Sequence, residues 1–82
     1  MDEDSRLAER FNNGDESAFD ELVSRHYQQV SNILFHSIGA TPGIEDLAQD
    51  VFIKVYDALP TYRGDSTFST WLYRIAVNVG LD

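Results

Sequence analysis

The chain has 82 residues, 43% of them hydrophobic and none of them cysteine, so it has room for one small domain without disulfide bonds or thiolate metal ligands. Its net charge of −8 argues against a free-standing protein that binds duplex DNA, because such domains usually carry a strong basic stripe. The N-terminus is acidic, unlike a secretory signal, and no apolar run approaches the roughly eighteen residues of a membrane span, so a cytoplasmic protein without membrane insertion is expected.

The acidic residues are concentrated in the first quarter of the chain. Residues 1–21 hold eight acidic residues and two arginines, whereas the remainder holds six acidic residues and four basic ones. Arg63 and Arg74 therefore lie among aromatic residues with Asp65 as their nearest acidic neighbour in sequence. The acidic excess does not extend into that segment.

The first two predicted helices lie in the N-terminal half. A short leading helix is expected over residues 5–12. Asp15 follows Gly14 and precedes apolar residues spaced three and four apart, which predicts an N-capped amphipathic helix at about residues 16–38. No alternating pattern with a period of two competes with this interpretation.

The third predicted helix follows a cluster of helix-breaking residues at positions 39–43. Thr41 and Pro42 are expected to cap and open this helix, since proline favours the first helical position. The helix is expected to run to about Leu59. A tight helical hairpin therefore joins the second and third helices.

The fourth predicted helix follows a turn bracketed by Pro60 and Gly64. Asp65 or Ser66 is expected to cap it, and the helix is expected to continue to the chain end. The resulting fold class is all-α, a compact bundle of three main helices plus a short N-terminal helix.

The third helix has two distinct faces on a helical wheel. One arc is expected to be core and comprises Leu47, Ala48, Val51, Phe52, Val55, Ala58 and Leu59. The opposite arc holds Asp46, Gln49, Asp50 and Asp57 around Ile53. An apolar residue framed by hydrogen-bond acceptors suits a protein interface, but a solvated helix face with one exposed isoleucine fits the same pattern.

The fourth helix carries Trp71, Arg74 and Asn78 on one stripe. An aromatic ring, a guanidinium and an amide are suited to stack on an unpaired base, hold its phosphate and bond its edge. The preceding loop, with Gly64 and the polar residues 65–67, can approach a nucleotide closely. A half-buried tryptophan beside an ordinary helix cap remains the alternative.

An enzyme has little support in this sequence. His26 and His36 lie ten residues apart on one helix, about 15 Å along its axis, which is too far to share a metal ion. Both are interpreted as surface or half-buried residues. No catalytic residue, metal site or cofactor is expected.

Two segments resemble region 2 of the extracytoplasmic-function group of bacterial sigma factors. Residues 46–52 read Asp-Leu-Ala-Gln-Asp-Val-Phe, and residues 62–78 read Tyr-Arg-Gly-Asp-Ser-Thr-Phe-Ser-Thr-Trp-Leu-Tyr-Arg-Ile-Ala-Val-Asn. With a weaker similarity near the N-terminus, the resemblance spans about residues 13–82. Residues 1–12 and 39–43 match nothing specific.

The first segment implies core RNA polymerase as a partner. In sigma factors this segment contacts the arginine-bearing coiled coil of the polymerase beta-prime clamp. The corresponding polymerase-binding residues here are Asp46, Gln49, Asp50 and Ile53, with Asp57 on the same arc.

The second segment implies capture of promoter DNA, in the form of the single-stranded non-template strand of the minus-ten element. By this resemblance the loop at residues 63–68 holds an extruded base, and the following helix lies where the duplex opens. The expected DNA-binding residues are Arg63, Gly64, Asp65, Ser66, Thr67, Phe68, Trp71, Arg74 and Asn78.

The resemblance also implies a domain organisation. Residues 1–82 are expected to form a single sigma region 2 domain in a fragment that lacks a C-terminal helix-turn-helix domain. An anti-sigma factor that masks both surfaces is a further implied partner. The chain would then be a transcription initiation factor, with a helical module that binds only proteins as the alternative.

Overall fold

The computed structural model describes residues 2–81 and shows a helical bundle. Its elements are α1 (Glu3–Asn12), α2 (Ser17–Ile38), α3 (Ile44–Ala58), a short 3-10 helix (Leu59–Thr61) and α4 (Phe68–Leu81). The described residues contain no β-strand. The predicted all-α bundle of three main helices and a short N-terminal helix is confirmed. Asp82, to which the fourth helix was expected to continue, lies outside the described residues.

The central element is α2, which packs against α1, α3 and α4. Its buried residues recur every fourth position, and they are Ala18, Leu22, His26, Val30 and Leu34. The other helices add buried residues that include Leu7, Val51, Val55, Phe68, Leu72 and Ala76. Burial of each Leu or Val side chain stabilises the fold by about 1.5–3 kcal/mol. Within residues 2–81 no helix combines the length and the apolar content needed to cross a membrane.

His26 joins three helices through polar contacts in the interior. It is 7% exposed, its Nε2 lies 2.8 Å from Asp4 Oδ1 on α1, and its Nδ1 lies 3.0 Å from Gln29 Oε1. Gln29 Nε2 in turn donates to the Ser69 carbonyl on α4 at 3.2 Å. The interpretation of His26 as a surface or half-buried residue was wrong, because partners satisfy both of its ring nitrogens in the interior. His36 is exposed.

Aspartate side chains accept hydrogen bonds from backbone amides near the starts of the first two helices. The Ser5 backbone amide donates to Asp2 at 2.7 Å, so α1 begins two residues before the predicted start at Ser5. Asp15 was expected to cap α2, but the capping position is Glu16, whose side chain makes no such bond; Asp15, one residue earlier, accepts from the Ser17 amide at 3.1 Å. Hydrogen bonds from Ser17, and then from Arg10, hold the pKa of Asp15 below its ordinary value.

The start of α3 differs from the prediction. Thr41 and Pro42 precede the helix, which begins at Ile44 with Gly43 at the capping position. The Ile44 amide donates to the Thr41 carbonyl at 3.3 Å, and Gly43 has φ −87° and ψ 1°. These values describe a type I turn with proline at its second position, and proline is favoured there as well as at the start of a helix.

The cap of α4 also differs from the prediction. The helix begins at Phe68, and the Thr70 amide donates to Thr67 Oγ1 at 3.1 Å. Thr67 is therefore the capping residue, and neither Asp65 nor Ser66 has that role. The Ser66 carbonyl accepts a hydrogen bond from Tyr62 Oη at 2.8 Å, and this bond fixes the Ser66 backbone in the loop that precedes the helix.

Replacing this cap is expected to weaken the fold modestly. Thr67→Ala should lower the free energy of unfolding by about 0.5–2 kcal/mol, because one helix amide loses its partner. Urea unfolding followed by circular dichroism measures this change. Thr67→Ser keeps the accepting oxygen and should retain most of the stability; an equal loss in both variants would show that the hydroxyl is not the cause.

Candidate functional site

The outward face of α3 presents the predicted set of polar residues around an exposed isoleucine. Ile53 is 60% exposed. Asp46, Gln49, Asp50 and Asp57 are all exposed as well. None of the ion pairs within residues 2–81 involves a carboxylate of α3. We call these five residues the α3 outer face; its acceptors are free to bind a basic partner.

An apolar groove borders the α3 outer face on the side of α2. It encloses about 680 Å³, and its lining includes Phe19, Val23, Tyr27, Phe52, Ile53 and Tyr56. Phe19 and Val23 are half-buried, and the apolar pattern of α2 taken alone does not indicate a groove at this position. The spacing of four between Phe19, Val23 and Tyr27 was the available signal, since it places these side chains in one row on α2.

A hydrogen bond ties the start of α2 to this region of α3. Tyr56 Oη donates to Glu16 Oε1 at 2.9 Å. The acceptor carboxylate raises the pKa of Tyr56, because the phenol loses this favourable bond when it ionises. The groove wall is thus held in place by a contact between residues 40 positions apart in the chain.

On α4, the predicted stripe is accessible along one edge. Arg74 and Asn78 are exposed, and Trp71 is half-buried. The indole packs against Tyr62 at a centroid distance of 5.2 Å and against Phe68 at 5.6 Å. Neighbouring rings therefore hold the indole in position while part of it stays open to solvent, which suits a stacking surface.

Phe68 requires a correction. It was grouped with the DNA-binding residues, but its ring is 2% exposed and is among the largest fully buried side chains. It lies against His26, Tyr62 and Trp71. A nucleotide cannot reach a ring enclosed in this way. Phe68 instead packs against the Tyr62 and Trp71 rings from the interior.

The loop of residues 62–67, here the Gly64 loop, has a defined shape. Gly64 has φ +80°, a value that side-chain-bearing residues rarely adopt, and no atom lies within 4 Å of the position a Cβ would take. Arg63, Asp65 and Thr67 are exposed, while Ser66 is half-buried. The loop backbone is thus open to close approach by another molecule at Gly64.

A groove between α3 and α4 brings Asn78 next to a residue that the sequence analysis missed. It encloses about 330 Å³ and is lined by Lys54, Asp57, Ala58, Ile75 and Asn78. Lys54 is exposed and adds a cation to the groove that Asn78 also lines. The available signal was its identity as one of only four basic residues after position 21. Asp57 lines both this groove and the groove on the α2 side.

Comparison with known proteins gives a consistent match over most of the chain. The family model for sigma-70 region 2 matches residues 22–82. The RNA polymerase sigma-H factor of Pseudomonas aeruginosa is 43% identical over 78 residues, which make up 95% of this chain and 40% of that protein. The ECF RNA polymerase sigma-E factor of Escherichia coli K12 is 45% identical over 75 residues, 92% of this chain and 39% of that protein. The chain thus spans about two-fifths of the length of these relatives.

A solved structure shares the fold. It is the NMR structure of an engineered region 2 of sigmaE in complex with GTAAAA, and it superimposes with a TM-score of 0.88 at 39% sequence identity. The match covers 99% of this chain and 87% of that one. The similarity therefore includes α1 as well as the three main helices.

Proposed function

The chain belongs to the sigma-70 region 2 family, and on that premise we propose that it binds core RNA polymerase and captures the non-template strand of the minus-ten promoter element. The α3 outer face is the polymerase-binding surface, through the beta-prime clamp coiled coil. The stripe of Trp71, Arg74 and Asn78, here called the α4 edge, and the Gly64 loop are the DNA-binding surface. The chain acts in transcription initiation without catalysing a reaction itself.

The observation that carries this proposal is the position of two accessible surfaces on either side of α3. An unpaired acidic face with an exposed Ile53 lies outward on α3, and the groove with Lys54 and Asn78 lies where α3 meets α4. The 39% identical relative in complex with GTAAAA supports single-stranded DNA as the ligand of the second surface. The grooves on the two sides of α3 share only Asp57, so we expect both ligands to bind at once.

The net charge of −8 fits this division of roles. Polymerase supplies most of the electrostatic attraction for promoter DNA, so the chain needs only a local capture site around Lys54, Arg63 and Arg74. Its acidic remainder disfavours binding to random duplex. We therefore expect weak binding of duplex DNA by the chain alone, and submicromolar affinity for random duplex at physiological salt would contradict this view.

The wider context of the chain follows from the same proposal. In a full sigma factor, a helix-turn-helix domain would follow this one and read the upstream promoter element. An anti-sigma factor would regulate it by covering the α3 outer face and the α4 edge. The protein would work in the cytoplasm, where polymerase and promoter DNA are found.

A tryptophan fluorescence titration tests the DNA-binding part directly, because Trp71 is the single tryptophan of the chain. Titration with single-stranded GTAAAA is expected to quench its emission, and a hexamer of the same composition in another order is expected to have little effect. An equal response to both, or none, would favour the alternative of a helical module that binds only proteins. A polymerase pull-down tests the other surface separately.

Two substitutions in the α3–α4 groove are expected to have different signatures. Lys54→Ala should lower the dependence of log affinity on log salt by about 0.7, the value for one phosphate contact on a single strand. Asn78→Ala should leave that salt slope unchanged while it weakens GTAAAA binding about fivefold to tenfold and relaxes base selectivity. Fluorescence anisotropy over a range of salt concentrations distinguishes the two.

Arg6→Ala is the matched control for these variants, since Arg6 is an exposed cation on α1. Its removal should leave the salt slope of hexamer binding nearly unchanged. If Lys54→Ala behaves like Arg6→Ala, Lys54 is not in contact with the strand.

A further inference from the structure

A series of polar side chains runs through the bundle from α1 to α4. Asp4 Oδ1 on α1 lies 2.8 Å from His26 Nε2, and His26 Nδ1 lies 3.0 Å from Gln29 Oε1 on the same helix. Gln29 Nε2 donates to the Ser69 carbonyl in the first turn of α4 at 3.2 Å. We call these four residues the His26 network. The functional surfaces described above do not include them.

The hydrogen-bonding capacity of each group fixes the directions of these bonds. The Ser69 carbonyl only accepts, so the Gln29 amide turns its NH2 group toward α4 and its oxygen toward His26. The Asp4 carboxylate is an acceptor as well. Both ring nitrogens of His26 therefore face acceptors, and the imidazolium, which carries a proton on each nitrogen, is the form of the ring that satisfies both.

The same network lies against the rings that hold Trp71 in position. The His26 and Phe68 ring centroids are 5.0 Å apart, and the Phe68 and Trp71 centroids are 5.6 Å apart. Phe68 and Ser69 are the first two residues of α4. The network thus contacts the start of this helix through a hydrogen bond and through a ring, and Trp71 follows within the same helical turn.

We propose that Asp4, His26 and Gln29 are positioning residues for the capture of promoter DNA. They set the first turn of α4 and thereby the orientation in which the Trp71 indole meets an unpaired base. The three residues act through α4 and not by contact with the strand. The inference rests on the proposed function, because it gives the network a role at the stacking surface. It also gives α1 a part in DNA capture, since Asp4 holds the far end of the network.

The network makes this positioning sensitive to pH. When the pH rises and the His26 ring loses one proton, the remaining N–H stays with the Asp4 carboxylate, because hydrogen bonds to charged acceptors are the stronger ones. Nδ1 then presents a lone pair to the Gln29 oxygen. The amide turns its NH2 group toward the ring, and its bond to Ser69 is lost. The affinity for GTAAAA is therefore expected to fall as this proton leaves.

The charged surroundings of His26 come from two helices. Within residues 2–81, the charged groups in contact with the network are Asp4 on α1 and Arg25 on α2, whose Nε donates to the same Asp4 oxygen at 2.9 Å. The α4 groups that contact the network, Phe68 and Ser69, are uncharged. Histidine is the side chain of this set that changes charge near neutral pH.

An NMR titration tests the link between His26 and Trp71 without DNA. Trp71 is the single tryptophan, so its indole N–H gives one assignable signal. In His36→Gln, which removes the other of the two histidines, the indole signal should shift with pH at the same midpoint as the His26 ring signals. An indole signal that stays constant while the His26 ring titrates would overturn the inference.

Gln29→Glu tests the hydrogen bond to α4. Glutamate keeps an acceptor for His26 but cannot donate to the Ser69 carbonyl. It should weaken binding of labelled GTAAAA about threefold to tenfold and shift the indole signal in the absence of DNA. Gln28→Glu is the matched control, because Gln28 is exposed and its Nε2 donates to Asn32 within α2 at 3.1 Å. This variant has the same change of charge and should alter affinity less than about twofold, with the indole signal unchanged.

The outcomes separate this inference from the proposed function. Equal affinities and equal indole signals in Gln29→Glu and Gln28→Glu would overturn the positioning role alone. A weaker affinity in Gln29→Glu with an unchanged indole signal would also overturn it, since the added charge would then be the cause. Failure of the unsubstituted chain to bind GTAAAA would overturn the proposed function, whereas the NMR titration decides independently whether His26 controls the position of Trp71.

Discussion

Asp50→Arg is expected to abolish binding to core RNA polymerase while the helical fold persists. Asp50 is exposed on α3 and forms no ion pair within the described part of the chain, so its reversal removes no contact of the bundle. In the complex, the substituted arginine would lie against the basic coiled coil of the polymerase clamp and repel it. Loss of a desolvated charge pair at an interface costs about 2–5 kcal/mol, so affinity should fall at least about 30-fold.

A pull-down or titration with core enzyme measures this loss, and circular dichroism checks the helicity. Glu21→Arg is the matched control, because Glu21 is an exposed acid on α2 outside the grooves described above. It reverses the same charge and should leave affinity within about threefold. Unchanged polymerase binding in Asp50→Arg, or equal losses in both variants, would remove the α3 outer face from the proposal.

Trp71→Ala is expected to cause the largest loss on the DNA side. Stacking of a base on an aromatic side chain contributes about 1–3 kcal/mol, so the affinity for labelled GTAAAA should fall by about 5-fold to 150-fold. Polymerase binding should be retained, because Trp71 lies on α4 away from the α3 outer face. Fluorescence anisotropy with the labelled hexamer and a polymerase pull-down measure the two properties separately.

Two further variants separate stacking from folding. Trp71 is half-buried against Tyr62 and Phe68, so its truncation also lowers stability, and Trp71→Phe restores a ring for both purposes. Tyr73→Ala removes an aromatic side chain that is 53% exposed on the same helix, and it should leave hexamer affinity unchanged. If Tyr73→Ala weakens binding as much as Trp71→Ala does, the stacking surface is not at Trp71.

Local sequence patterns predicted much of the fold because helices are specified by short-range regularities. Apolar spacing placed α2 within one residue of its observed bounds and predicted the four buried residues of α3, but Leu47 and Ala58 of the same predicted arc are only half-buried. It also placed Ile53 at the centre of an exposed polar face. The starts of α3 and α4 were wrong, since Pro42 suits a turn as well as a helix start, and several residues before Phe68 can cap a helix.

The sequence by itself determined that this chain forms a small helical bundle with one acidic face and one aromatic edge, because the periodicity and chemistry of each helix are properties of nearby residues. Tertiary packing decided which residues of different helices act together. It brought Lys54 and Asn78 into one groove, joined Asp4 to Ser69 through His26 and Gln29, and enclosed Phe68 beneath Trp71. These pairings depend on how α1, α3 and α4 dock on α2, and a helical pattern shows only which face of each helix is buried, not which neighbour buries it.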